Sequence, residues 1–134
     1  MSTEKEPTFI KFSKEGIHYA FHARSIQEKN GMFSWYIPAF DIFFSSKDRE
    51  TGRAKAKSMT ESFFTYWIGQ ESFRAFILQI HKLGFKSPNH DLTVSEMIKR
   101  KRSDAKFTSK NEYLPEGFLN SESIVEEGEL AMAI

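Results

Sequence analysis

Apolar and polar residues alternate along the first third of the chain, and then the step changes. From Ile17 to Ile26, the positions Ile17, Tyr19, Phe21 and Ala23 share one face of an extended segment while His18, Ala20, His22 and Arg24 share the other. That is the pattern of a half-buried antiparallel strand. A shorter strand is read before it, from Thr8 to Phe12, ending in the turn Ser13-Lys-Glu-Gly16. Asn30-Gly31 marks a hairpin turn, after which Phe33, Trp35 and Ile37 point one way. Pro38 cannot donate to a ladder, so this strand stops or lies at an edge, and Asp41 to Ser45 supplies the next one.

Beyond Ser45 the period lengthens to that of a helix. Thr51 is the predicted N-cap of a helix running to about Ile68, with Ala56, Met59, Phe63 and Trp67 facing inward, Phe64 and Tyr66 widening the apolar arc, and Arg53, Lys57 and Glu61 outward. Gly69 breaks it. A second helix from about Ser72 to Leu83 sets Phe73, Phe76, Ile77 and Ile80 on one stripe, with Gly84 as its C′ residue and Phe85 folding back beyond it. Thr93-Val-Ser-Glu96 has capping-box spacing and predicts a short third helix, and Glu129 to Ile134 alternates weakly enough to return as a last edge strand. The predicted fold class is therefore α+β: a small antiparallel meander of three to four strands covered by one long helix, with a second short helix and an extended C-terminal arm. Residues 1–7 are expected to be disordered, 8–88 to form the α+β domain, and 89–134 to hold the short helix, the polar arm and the edge strand.

Composition narrows this picture. At 134 residues, with 14 Phe, 4 Tyr and 2 Trp, the chain suits a single aromatic core. The absence of cysteine excludes disulfides and thiolate metal sites and fits a reducing cytoplasm, the expected location. No stretch approaches the roughly 20 apolar residues of a membrane span. The net charge of +1 hides a local asymmetry: Lys99, Arg100, Lys101, Arg102, Lys106 and Lys110 face only Asp104, whereas Glu112 to Ile134 holds six Glu and no base.

Candidate chemistry is sparse. His18 and His22 on a strand stand about 13 Å apart at about 3.3 Å per residue, too far to share one ion, and read as two solvent-facing strand histidines. Acids do not converge from strand centres as metal-dependent nucleases require, and there is no Gly-x-Ser-x-Gly elbow or phosphate-cradling loop. Asp48 and Glu50 belong to the turn before the helix, where capping is their expected role. No catalytic, cofactor-binding or metal-binding residue is expected, and no cofactor.

From Trp35-Tyr-Ile-Pro38 through Phe85 the order of features (hairpin, Pro-containing loop, short strand, Thr-capped helix, and a second helix closing in Leu83-Gly84-Phe85) resembles the HicB-like antitoxin family over roughly residues 17–85. Ile37-Pro-Ala-Phe-Asp41 occupies the family's loop, Thr51 its cap and Ile80-His-Lys-Leu-Gly-Phe85 its ending, while Arg49-Glu50 replaces its Gly-Asp and Gly52 stands where it prefers a helix former. The resemblance implies a partial RNase H-like fold without that fold's catalytic acids, assembled as a dimer or higher homo-oligomer and sequestering a small basic RNase toxin. The charge asymmetry then predicts a protein partner bound through Glu122, Glu126, Glu127 and Glu129. The competing reading is a stand-alone nucleic-acid-binding or regulatory domain that contacts phosphates through Lys99, Arg100, Lys101 and Arg102 in the basic segment 99–110.

Overall fold

A computed structural model describes residues 8–13, 16–86, 106–109 and 113–131. The described elements are β1 (Thr8–Ser13), β2 (Gly16–Gln27), β3 (Phe33–Ile37), β4 (Ile42–Ser46), α1 (Arg49–Thr65), α2 (Phe73–Lys82), β5 (Lys106–Ser109) and β6 (Glu122–Ala131). A π-helical turn over Tyr66–Glu71 joins the two helices, and a 3-10 turn lies at Glu116–Phe118. The fold is α+β, with six antiparallel strands rather than three to four. None of the described helices is long and apolar enough to cross a membrane.

β2 is the spine. It pairs with β6 without a break from Gly16↔Ala131 to Ser25↔Glu122. It also pairs with β1 over Gly16 to Ala20 and with β3 over Arg24 to Gln27. A strand has two edges, so β1 and β3 must share one edge of β2, end to end, while β6 occupies the whole of the other. β5 extends the sheet beyond β1, and β4 extends it beyond β3.

Both helices lie on the face that carries Ile17, Tyr19, Phe21 and Ala23, the residues expected inward from their alternation and all nearly or fully buried. Aromatic rings fill the layer between. Phe64 meets Tyr19 edge-on at 5.3 Å and Phe76 at 5.8 Å, and Phe12 meets Phe76 at 5.8 Å and Phe107 at 5.8 Å. After Pro38 the chain turns Phe40 into this layer, stacked on Phe85 at 5.5 Å, and recovers through Asp41 at φ 53, a left-handed position that Asp tolerates better than most residues.

The inward stripe of α1 keeps the predicted Ala56, and Phe64 of the wider arc, but is otherwise shifted. Gly52, Ala56, Thr60 and Phe64 are its buried residues, while Met59 is half-buried and Phe63 and Trp67 flank the core. The cap also differs: Asp48, not Thr51, is the N-cap, its carboxylate accepting from the Thr51 backbone N–H at 2.7 Å. That contact holds the Asp48 carboxyl below its ordinary range. Size ranked the apolar residues of this helix wrongly because the sheet beneath it already carries the bulk. The Trp35 indole lies directly under the first turn, where any Cβ on residue 52 would overlap the ring. Trp35 Nε1 donates to Ser46 Oγ at 2.9 Å, and Ser46 Oγ donates to the Asp48 carbonyl at 2.6 Å, which ties core, strand end and helix start together.

α2 follows its sequence pattern closely. Ser72 caps it, accepting from the Ala75 N–H at 2.9 Å, and Phe76, Ile77 and Ile80 are fully buried. Gly84 at φ 101 lets its N–H reach the His81 carbonyl at 3.1 Å while the Phe85 N–H reaches that of Ile80 at 3.0 Å. This pair of bonds is the Schellman ending expected for Leu83-Gly84-Phe85.

The region expected to be a polar arm contributes β5, the 3-10 turn and most of β6, which begins at Glu122 rather than Glu129. Its period was hidden because Glu126 and Gly128 occupy core-side positions of β6 between Ile124 and Leu130. Glu126 is tolerated there by Arg53, 3.0 Å away. Gly128 is required there because a Cβ would stand 2.5 Å from the Tyr19 hydroxyl. The predicted third helix from Thr93 and residues 1–7 lie outside the described residues.

Two substitutions on α1 test this packing by urea denaturation. Gly52→Ala is expected to cost about 1–3 kcal/mol through overpacking against Trp35, although alanine gains up to about 1 kcal/mol of helix propensity. Thr60 Oγ1 is buried without a hydrogen-bond partner among the described residues. Thr60→Val keeps the shape and removes a desolvation cost of about 1–3 kcal/mol, so it is expected to raise stability; a fall would show that the hydroxyl is satisfied in solution.

Candidate docking face

The face of the sheet turned away from the helices is assembled by strand register. Three rows cross it: Phe43, Tyr36, Arg24 and Ser123; Thr108, Phe9, Ala20 and Glu127; Lys106, Lys11, His18 and Glu129. His22 pairs with Val125 between the first two rows. Arg24 is held to the loop before β6, its Nε donating to Ser121 Oγ at 2.9 Å.

One end of this face is aromatic. Tyr36 is 2% exposed and stacks on Phe43 at 4.3 Å, with Phe118 of the 3-10 turn 5.8 Å away. Its hydroxyl donates to Asp41 Oδ1 at 3.1 Å. Beside this buried ring Phe43 is 53% exposed, with Phe118 6.2 Å from it. Large apolar groups gathered at a surface mark contact sites. The opposite corner is basic, with Lys106 and Lys11 as cross-strand neighbours and the Lys106 ammonium 4.8 Å from the Phe9 ring.

The predicted partner-binding glutamates all lie on β6, but the strand splits them between its faces. Glu122 and Glu126 point to the helix side, where Arg49 and Arg53 pair with them at 2.8 and 3.0 Å. Glu126 is 8% exposed and so cannot serve an incoming protein. Glu127 and Glu129 are exposed on the helix-free face with Val125. Glu127 Oε1 lies 2.8 Å from His18 Nε2, and Glu129 forms no ion pair among the described residues. The four therefore do not make one acidic patch, and two of them neutralise α1. Lys99, Arg100, Lys101 and Arg102 lie outside the described residues.

His18 and His22 share the helix-free face as predicted for one strand, but both are half-buried rather than fully solvent-facing, and Phe9 stands edge-on to His18 at 5.2 Å. Among the described residues no three His, Asp or Glu side chains gather as a metal site would need. Sequence reasoning assigned the aromatic strands mainly to the core and missed the Tyr36, Phe43 and Phe118 cluster. A signal existed: Tyr36 sits between Trp35 and Ile37, and Phe43 beside Phe44, and adjacent strand residues must face opposite ways.

Comparison with protein-family models, curated proteins and solved structures finds no match to this chain.

The two buried tyrosines set an alkaline limit. Burial, reinforced by the Asp41 contact, pushes the Tyr36 phenol up to about 12. Burial and the Glu61 carboxylate, 2.6 Å from the hydroxyl, push Tyr19 up as well. A phenol raised in the folded state stabilises the fold fully below its unfolded value near 10, and that contribution is lost as pH rises through the folded value. Stability measured by denaturant is expected to fall between about pH 10 and pH 12, with Tyr36→Phe flattening that fall; an unchanged slope in the variant would sink the assignment.

Proposed function

We propose that this chain is a non-enzymatic, antitoxin-like binding protein of the HicB kind, which self-associates in the cytoplasm and takes a small basic protein onto the helix-free face of its sheet. The observation that carries the reading is the outer part of β6, where Val125, Glu127 and Glu129 stand exposed together on that face. A base-rich surface meets there an apolar contact flanked by carboxylates, which favours both docking and electrostatic steering. Glu122 and Glu126 are left out of this contact because Arg49 and Arg53 already hold them. The element order also supports the reading, since β2, β3, the Pro38 loop, β4, α1 and the Schellman-ended α2 follow the order on which the family resemblance rests, with Asp48 in place of Thr51 as the cap of α1. The nucleic-acid reading keeps one supporting observation, the corner where Lys106 of the basic segment 99–110 stands beside Lys11.

Co-expression with the adjacent reading frame tests the proposal. A small basic product is expected to co-purify, and Glu127→Gln with Glu129→Gln is expected to slow its association about three- to tenfold at low salt and to flatten the salt dependence. Glu122→Gln is expected to leave the on-rate unchanged. An unaltered on-rate in the double variant would move the partner to another face, and duplex DNA or RNA binding without any protein partner would replace the proposal with the nucleic-acid reading.

A further inference from the structure

Three strands pair with a single strand among the described residues, β4 with β3, β5 with β1 and β6 with β2, and of these only β5 has its outer edge bridged, by Lys86 to Thr108. Open edges invite pairing with another chain unless something opposes it. On β6 something does. Antiparallel pairing of two β6 strands in full overlap sets Glu126 opposite the other copy's Glu127, and a slip of one residue either way sets Glu126 or Glu127 opposite itself. Like charges directly opposite one another destabilise a ladder.

β4 has the reverse character. Ile42-Phe-Phe-Ser-Ser46 carries no charge and is bracketed by Asp41 and Lys47. Antiparallel pairing of two copies about Phe44 sets Phe43 opposite Ser45 and Ile42 opposite Ser46, and it brings Asp41 opposite Lys47 at both ends. The segment is complementary to itself in charge and in register. On the helix-free face the two exposed Phe43 rings become diagonal neighbours about 7–8 Å apart, within reach of aromatic side chains. On the helix side the two Phe44 residues come opposite one another, each ring stacked on its own Trp35 at 5.7 Å and carrying its own Lys55 ammonium 5.8 Å from the centroid. Lys55 Nζ donates to the Ser45 carbonyl at 3.1 Å, but a carbonyl accepts two hydrogen bonds, so this contact does not close the edge.

We infer that two copies of this chain join β4 to β4 antiparallel about Phe44, with reciprocal Asp41–Lys47 pairs at the ends and Phe43 as the apolar contact. The occupant is a second copy rather than a basic partner strand, because a basic strand would meet Lys47. This interface deepens the self-association in the proposed function and leaves the β6 side of the helix-free face free for another protein.

Sedimentation of the full chain over a concentration series reads the interface. The wild type is expected to dimerise in the micromolar range, and Lys47→Glu and Asp41→Lys are each expected to weaken the dimer about tenfold or more. An equimolar mixture of the two variants restores it, since each mixed dimer regains two opposite-charge pairs. The chain has no cysteine. Phe44→Cys, once shown to be folded by circular dichroism, is therefore expected to form an intermolecular disulfide that Glu129→Cys does not. A dimer indifferent to Lys47→Glu and a Phe44→Cys chain that stays reduced overturn the β4 interface while self-association stands. A monomeric wild type that still captures the basic neighbour overturns the pairing and leaves partner binding intact.

Discussion

How closely α1 lies on the sheet decides the rest of the arrangement. Gly52 over Trp35 sets the distance at the first turn, and Ala56 and Thr60 keep it short until Phe64 reaches into the aromatic layer. A bulky residue at position 52 would lift the helix start away from the hydrogen-bonded chain through Ser46 and Asp48 that anchors it. Because the helix sits low, Arg49 and Arg53 reach across to β6 and neutralise two carboxylates. The exposed Arg49–Glu122 pair contributes little, since both groups keep most of their water. The Arg53–Glu126 pair matters more: Glu126 has only 10% of its side chain in solvent and would otherwise be an unpaired charge beside the core.

That division of labour separates the two faces of the molecule. One face spends its polar groups on internal neutralisation and is sealed by helices. The other is left with aromatic, acidic and basic zones across the strands, none of them covered by α1 or α2 among the described residues. The same contrast appears at the edges, where β6 carries glutamates that oppose self-pairing and β4 is uncharged along its length. The character of each uncovered surface is thus set largely by which side of β2 a residue falls on.

Much of the fold was legible in the sequence. β2, the Asn30-Gly31 turn, the stop at Pro38 and all of α2 with its ending emerged where periodicity and turn chemistry agreed. The reading of α1 failed where packing overrides size, since Gly52 and Thr60 face inward and Met59 does not. β6 was obscured because a carboxylate and a glycine occupy positions that would ordinarily be apolar, each licensed by a residue far away in sequence, Arg53 and Tyr19. The same cause blurred the candidate site. Glutamates that appear as one acidic run are separated by strand alternation, and only partners on another element reveal which of them are already engaged.

The shared edge of β2 also governs the order in which the chain can complete itself. β1, β3 and β4 are neighbours in sequence, so a nascent chain can form those hairpins as soon as they emerge. The opposite edge of β2 must wait for β6, whose Glu127 is 109 positions away from the His18 it meets. Contacts of such separation form late and slowly. During synthesis the central strand therefore keeps one full edge open until β6 has been made, which makes that interval the time at which this chain is most exposed to misassembly or to capture by chaperones.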